Sequence, residues 1–331
     1  MLELRRRDME RKILYLSRAD VEAVAVPMDR IIAAVEAMFK EKGEGRVEMP
    51  PKPGIHPRPD SFIHAMPAYI PSLNSAGMKW VSGFPGNVKK GLPYISGLIV
   101  INDPATGIPL AVMDCTWITA MRTGAATAVA AKYLARPDSR VVGILGCGVQ
   151  GRSNLEALKV LFPLRSVLAY DTNPEARDLY AKEMSLKYGL DVRPVQIPKE
   201  AVAGCDIVVT AGPILKTPHA AIQPGWLDEG AFASLVDYDS YWHRGALKEA
   251  DKFCTDDLPQ LEYSKTLGYF RDIPAVYAEL AELVTGRKPG RERHEERTMT
   301  CNLGLALDDM ATAPLVFKLA VEKGLGTGLL L

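Results

Sequence analysis

The segment RVVGILGCGVQGRSNLEAL, Arg140 to Leu158, leaves its part of the chain little freedom in how it folds. An apolar run is followed at once by three glycines in the pattern GxGxxG and then by a helical pattern. That order reads as strand, tight turn and helix, the opening of a Rossmann-type unit. Gly146 permits the turn out of the strand, Gly148 lets the backbone approach a pyrophosphate, and Gly151 lets helix and strand pack closely. Val149 and Gln150 fall at the helix start, where free N–H groups and the positive end of the helix dipole face a phosphate. About twenty residues on, SVLAYD ends at Asp171, where a carboxylate is placed to accept ribose hydroxyls. A carboxylate there repels a 2′-phosphate, and Thr172 and Asn173 bring no arginine to neutralise one, so NAD is favoured over NADP. VVTAGP, Val208–Pro213, ends a later strand at the same edge and brings Thr210 and Ala211 toward the cofactor.

The glycine loop lies near the middle of the 331 residues, so a substantial segment precedes it. After it, SVLAYD, DVRPVQI, DIVVTAG and AFASLVD are apolar strands separated by helical or loop segments. That alternation predicts a parallel sheet covered by helices. Before it, SFIHAMPAYI, AGMKWVSGF and GLIVIND read as strands of one antiparallel sheet, with IPLAVMD pairing back after the NDPATG turn. TWITAMRTGAATAVAAKYLA reads as one long helix. SRADVEAVAVPMDRIIAAVEAMFKEKGEG is expected to be a helix capped by Ser17 and ended at Gly43 and Gly45. IPAVYAELAELVTGRKPG is expected to be another, closed by Gly286. MTCNLGLALDDMATAPLVFKLAVEKGLG is expected to be a third, kinked or broken at Pro314. The start, MLELRRRDMERKILYL, reads as a solvated basic segment leading into a strand, without the apolar core and cleavage site of a signal peptide.

Composition narrows the function classes. Forty basic and forty acidic residues cancel, so there is no global pull toward nucleic acid or an acidic membrane. No apolar run reaches membrane-spanning length. The five cysteines are odd in number, widely spaced and without a CxxC pair. They form neither a disulfide framework nor a zinc site, which fits a reducing cytoplasm. Cys147, inside the glycine loop, is a small packing residue. The five histidines show no ligand spacing, so no metal is expected.

Three segments together carry a further signal: GLPYISGLIVINDPATGIPLAVMDCTWITAMRTGAATAVAAKYLA, then GCGVQGR, and late GRERHEERTMTCNLGLALDD. They resemble the ornithine cyclodeaminase/mu-crystallin family over nearly the whole chain. The resemblance implies an α/β fold, in which a Rossmann doubly wound parallel sheet domain is inserted into a mixed α+β substrate-binding and dimerisation domain. Residues 1–124 with 303–331 would form the latter, and 125–302 the NAD-binding part. It implies an oxidoreductase, a homodimer, and hydride transfer at the α-carbon of an amino acid or its imine. It also implies three basic groups on the substrate carboxylate: Lys52, where relatives carry arginine, with Lys79 and Arg122. Arg122 and its neighbour Thr123 are expected to approach the cofactor as well. Lys is a point charge without the planar fork of Arg, so Lys52 is a departure. The acid–base group falls at Asp239, with Asp237 second, in a loop shorter than usual where His243 replaces a lysine. His64 and Asp114 stand where ornithine-specific members carry Glu, which weakens the case for ornithine itself.

With such a set, Lys79, Arg122 and Lys52 fix the carboxylate, and Asp239 stabilises the cationic imine and shuttles protons. Water attack gives a dehydrogenase, ring closure gives a cyclodeaminase, and the reverse run on a preformed imine gives a reductase. One constellation serves all three. A non-catalytic, mu-crystallin-like binding protein is the rival from another class.

Overall fold

A computed structural model of the protein describes residues 12–331. The basic start expected to be solvated lies outside them, whereas the strand it leads into is present as β1 (Lys12–Leu16). Ser17 and Asp20 cap the next helix reciprocally: Asp20 N–H donates to the Ser17 hydroxyl, and the Ser17 N–H donates to the Asp20 carboxylate. The expected single helix is two, α1 (Arg18–Val24) and α2 (Met28–Gly43). Ala25 turns into the left-handed region at φ 50°, and Pro27 has no N–H to continue the ladder.

The first-half strands are β2 (Gly54–Ile55), β3 (Phe62–Ile70), β4 (Ser75–Gly83), β5 (Ile95–Asn102) and β6 (Pro109–Asp114). They pair antiparallel in sequence from β3 to β6, as the alternation predicts. The sheet is nevertheless mixed, because β1 joins β6 in parallel and a final strand, β15 (Thr327–Leu330), pairs antiparallel with β1. The helix α3 (Thr116–Leu134) then leads to the second sheet without a break.

That second sheet is parallel throughout. Its strands are β7 (Val141–Leu145), β8 (Ser166–Tyr170), β9 (Asp191–Pro194), β10 (Ile207–Thr210), β11 (Phe232–Leu235), β12 (Lys252–Thr255), β13 (Ala278–Glu279) and β14 (Thr298–Cys301). Their order, β13-β12-β14-β11-β10-β7-β8-β9, reverses direction between β7 and β10. In open α/β sheets a crevice for ligands forms outside the strand ends at such a switch point. The sheet is covered by helices that include α4 (Val149–Leu161) and α5 (Pro174–Tyr188). It is inserted between β6 and β15 of the first sheet, the predicted fold class.

Two expected helices differ. The segment around IPAVYAEL is mostly extended, and the helix α8 covers only Leu280–Val284, closed by Gly286 as expected. Tyr277 N–H donates to the Phe253 carbonyl at 2.7 Å, and Ala278–Glu279 pair with β12. The backbone bonds therefore go to the sheet, and helical apolar spacing does not decide the matter. In the last segment MTC is strand β14, and the helix α9 (Ala306–Lys323) begins only after Gly304. Pro314 does not break α9. The carbonyl that Pro314 leaves without its intrahelical donor, on Met310, accepts the Ser75 hydroxyl at 2.7 Å.

Candidate active site

The first β–α turn of the parallel sheet is built as its glycines predict. Gly146 sits at φ 109°, and a Cβ there would lie 2.5 Å from the Ala211 carbonyl oxygen. Ends of β7 and β10 thus approach across the switch point. A Cβ on Gly151 would lie 2.3 Å from the Gly146 carbonyl, so α4 packs hard against the turn. Gly148 faces open space, and no side chain caps the start of α4. The first-turn N–H groups remain free for an anion. The Asp171 carboxylate accepts the Cys147 and Asn173 N–H groups at 2.8 Å, which fixes it at the edge of this cradle. Cys147 is buried with its thiol pushed up to about 12, mainly by burial, a packing residue. These features fit a dinucleotide.

The cradle opens into a cleft of about 910 Å³ between the two sheets. Gly146, Gly148, Val149, Gln150, Asp171 and Ala211 line its cofactor side. Lys52, His64, Lys79, Arg122 and Thr123 line it from the first-half elements. Asp239, Thr210 and Gly151 are not on its wall. Thr210 is buried behind it, donating to Asp237 Oδ1 at 2.6 Å.

The three predicted cations converge on one segment, the turn and first helical turn from Leu303 to Asp309. Lys52 Nζ donates to the carbonyls of Leu303 at 2.8 Å and Gly304 at 3.2 Å. Arg122 Nη1 lies 3.3 Å from Asp308 Oδ2, and its Nε 3.4 Å from Asp309 Oδ1. Lys79 Nζ lies 2.6 Å from Asp309 Oδ2 and is only 1% exposed. Gly304, at φ 76°, is required here: a Cβ would lie 2.6 Å from Arg122 Nη1. Its N–H donates to Asp256, whose carboxyl is pushed up to about 7 by burial and by Asp308.

Sequence reasoning missed Asp308, Asp309 and Asp256 as site residues. The adjacent pair DD, two residues into the last helix of a buried segment, was the available signal. Acids are favoured in a first helical turn, and Asp308 also accepts the Leu305 N–H at 2.9 Å. Asp309 meets both Lys79 and Arg122 through its two oxygens. Charges this deep are tolerated only when paired.

Burial sets the protonation of the rest. It pushes the Lys52 ammonium down to about 8, with Arg122 and Lys79 adding to the effect against Asp256. Lys79 is lowered by burial and by Arg122. His64 is pushed down to about 3 by burial and by Lys52, so it is neutral at physiological pH. Asp237 is pushed up to about 7 by burial, although Thr210 and the Gly212 N–H hold part of its charge. Asp239 is raised by burial, and its Oδ1 has no partner.

The profile of the ornithine cyclodeaminase/mu-crystallin family matches residues 11–324. The chain belongs to this family. It is 35% identical to an alanine dehydrogenase of Archaeoglobus fulgidus over 326 residues, covering 95% of this chain and 97% of the relative. Its structure is similar to that of a Thermococcus litoralis Δ1-pyrroline-2-carboxylate reductase in complex with NADH and L-proline, with TM-score 0.87 and 36% identity over 96% of this chain and all of the other. It is also similar to an archaeal alanine dehydrogenase dimer with bound NAD, with TM-score 0.86 and 35% identity over 96% and 99% of the two chains. Within the family these relatives are enzymes acting on amino acids or cyclic imines. No helix among the described residues is long and apolar enough to cross a membrane.

Proposed function

We propose that the protein is an NAD(H)-dependent oxidoreductase acting at the α-carbon of an amino acid or the corresponding imine. The observation that carries this reading is the convergence of Lys52, Lys79 and Arg122 in the cleft that the glycine loop enters. NAD(H) is the cofactor. Gly146, Gly148 and the first turn of α4 hold its pyrophosphate, Asp171 its ribose, and Thr123 and Ala211 flank it. When bound, the nicotinamide supplies or takes up the hydride.

The chain's own residues do the remainder. Lys79 and Arg122 present positive charge at a fixed place, because Asp308 and Asp309 hold their heads still. A substrate carboxylate adds to that network rather than having to organise it, so little orientational freedom is lost at the reacting geometry. Lys52 supplies a third cation from a loop. Asp239, buried and with a free oxygen, is the group we assign to hold and move the proton on nitrogen or water. Residues 1–124 with 303–331 serve as substrate-binding and dimerisation part, and 125–302 as cofactor part. The outward face of the first sheet carries the dimer contact: Trp80 and Leu98, cross-strand neighbours, are 46% and 41% exposed. Five free, buried cysteines are consistent with the cytoplasm, where we place the enzyme.

The test follows NADH absorbance and ammonia release together, with a panel of amino acids and cyclic imines. Turnover with at least one of them is expected. Cofactor binding with no turnover on any would support a binding protein instead.

A further inference from the structure

Strand register describes the floor of the cleft beyond Lys79. Met66, Lys79 and Ile99 form one rung across β3, β4 and β5, His64, Val81 and Gly97 the next, and Phe62, Gly83 and Ile95 the third. Alternation along the strands puts these side chains on one face. The face is covered by α9 only as far as Lys79: Ser75 and Gly77 touch Met310, and Asp309 in the first turn meets Lys79. Past that point the sheet emerges from under the helix. Four residues of strand, about 13 Å, separate Lys79 from Gly83. Two of the floor positions there, Gly83 and Gly97, carry no side chain, and Val81, Phe62, His64 and Ile95 line the cleft.

Another part of the cleft lining is aromatic, with Tyr94, Tyr238 and Tyr269. Tyr238 stands at φ 63°, a conformation that bulky side chains rarely adopt, and its ring packs on Phe270 at 4.6 Å and edge-on to Tyr269 at 5.6 Å. Tyr94 closes the same corner, near enough to both tyrosines for the phenols to influence one another. On the floor, Phe62 and His64 stack at 4.3 Å.

Resting on the reading that Lys79 and Arg122 take the substrate carboxylate, we propose that the substrate carries a bulky aromatic side chain, which lies along the Val81–Phe62 strip beneath Tyr94, Tyr238 and Tyr269. Apolar and π surfaces together suit an aryl group. The strip itself carries no carboxylate to pair with a second ammonium. The carboxylates lining the described cleft are Glu22, Glu156 and Asp171. Glu22 is paired with Arg18, Glu156 with Lys187, and Asp171 belongs to the cofactor cradle. Asp60 stands at the rim beside Arg58, Lys216 and Tyr269, near enough to raise the phenols of Tyr94 and Tyr269.

Calorimetric titration of the NADH-loaded protein with unreactive carboxylates tests this without requiring turnover. 3-Phenylpropanoate is expected to bind roughly tenfold to a hundredfold tighter than propanoate, and 5-aminopentanoate no tighter than propanoate. Val81→Phe, which fills the strip, is expected to abolish the phenylpropanoate preference, with NADH affinity as the folding control. Equal binding of propanoate and 3-phenylpropanoate, or tightest binding of 5-aminopentanoate, overturns the proposal. Those results leave the oxidoreductase reading standing, whereas absence of turnover on the whole panel overturns that reading by itself.

Discussion

At the scale of single residues, protonation decides what the site can hold. Lys52 attracts a carboxylate only as an ammonium, and burial brings its pKa down to about 8. The free-enzyme profile of kcat/KM is therefore expected to fall as pH rises through about 8. Lys52→Arg, which stays charged, should move that limb upward and out of the range. An unchanged alkaline limb in the variant would remove Lys52 from the carboxylate site. Asp171→Ala should weaken NAD binding by about 1.5–3 kcal/mol, the worth of charge-assisted bonds to ribose, or about tenfold to a hundredfold in Kd. Unchanged cofactor affinity would refute the ribose assignment. Asp239→Asn should lower kcat by about a hundredfold or more while substrate still binds. If Asp237→Asn does this instead, the proton carrier is the residue bonded to Thr210 and Gly212. The glycine loop was legible from its spacing between strand and helix, and the cations from the family resemblance carried by the segments around them. Asp256, Asp308 and Asp309 were not legible as partners, because 134 positions of chain separate Asp256 from Arg122, 186 separate Asp308 from Arg122, and 230 separate Asp309 from Lys79.

At the scale of elements, local patterns were reliable where the backbone satisfies itself. The helix α3 and the unit β7–α4–β8 were readable from periodicity and from turn chemistry alone. The reading failed where tertiary hydrogen bonds override periodicity. Ala278–Glu279 join the sheet although AVYAELAELV has helical spacing, and Pro314 stays inside α9 because Ser75 reaches its freed carbonyl. Contact between α3 and α4 is close enough to test. A Cβ on Gly124 would lie 2.4 Å from the Ser153 carbonyl oxygen. Gly124→Val is expected to destabilise the protein by about 1–3 kcal/mol in denaturant unfolding. It should also weaken NAD binding, because α4 carries the phosphate cradle. Wild-type stability in this variant would mean that the two helices are not held this closely.

At the scale of the whole molecule, the fold works by insertion. A parallel sheet with its cofactor edge is placed between strands of a mixed sheet, so that α3 from one side and α9 from the other meet at the cleft. Strand alternation after the glycine loop pointed to the parallel sheet, and the family resemblance implied its insertion into a mixed domain. The parallel pairing of β1 with β6 did not, because it joins segments about a hundred residues apart that have no turn between them. The dimer contact proposed for the outward sheet face gives a prediction at this scale. Trp80→Glu should shift the protein from dimer to monomer in sedimentation experiments with the fold retained, and an unaltered dimer would place the contact elsewhere. The central claim, that the cleft directs hydride between cofactor and α-carbon, is tested most directly by label transfer. NADH dideuterated at C4 is mixed with a panel of cyclic imines and of 2-oxo acids with ammonia, and products are read by mass spectrometry. The account predicts an amino acid carrying one deuterium at its α-carbon, whereas products without label, or no product from any member of the panel, would contradict it.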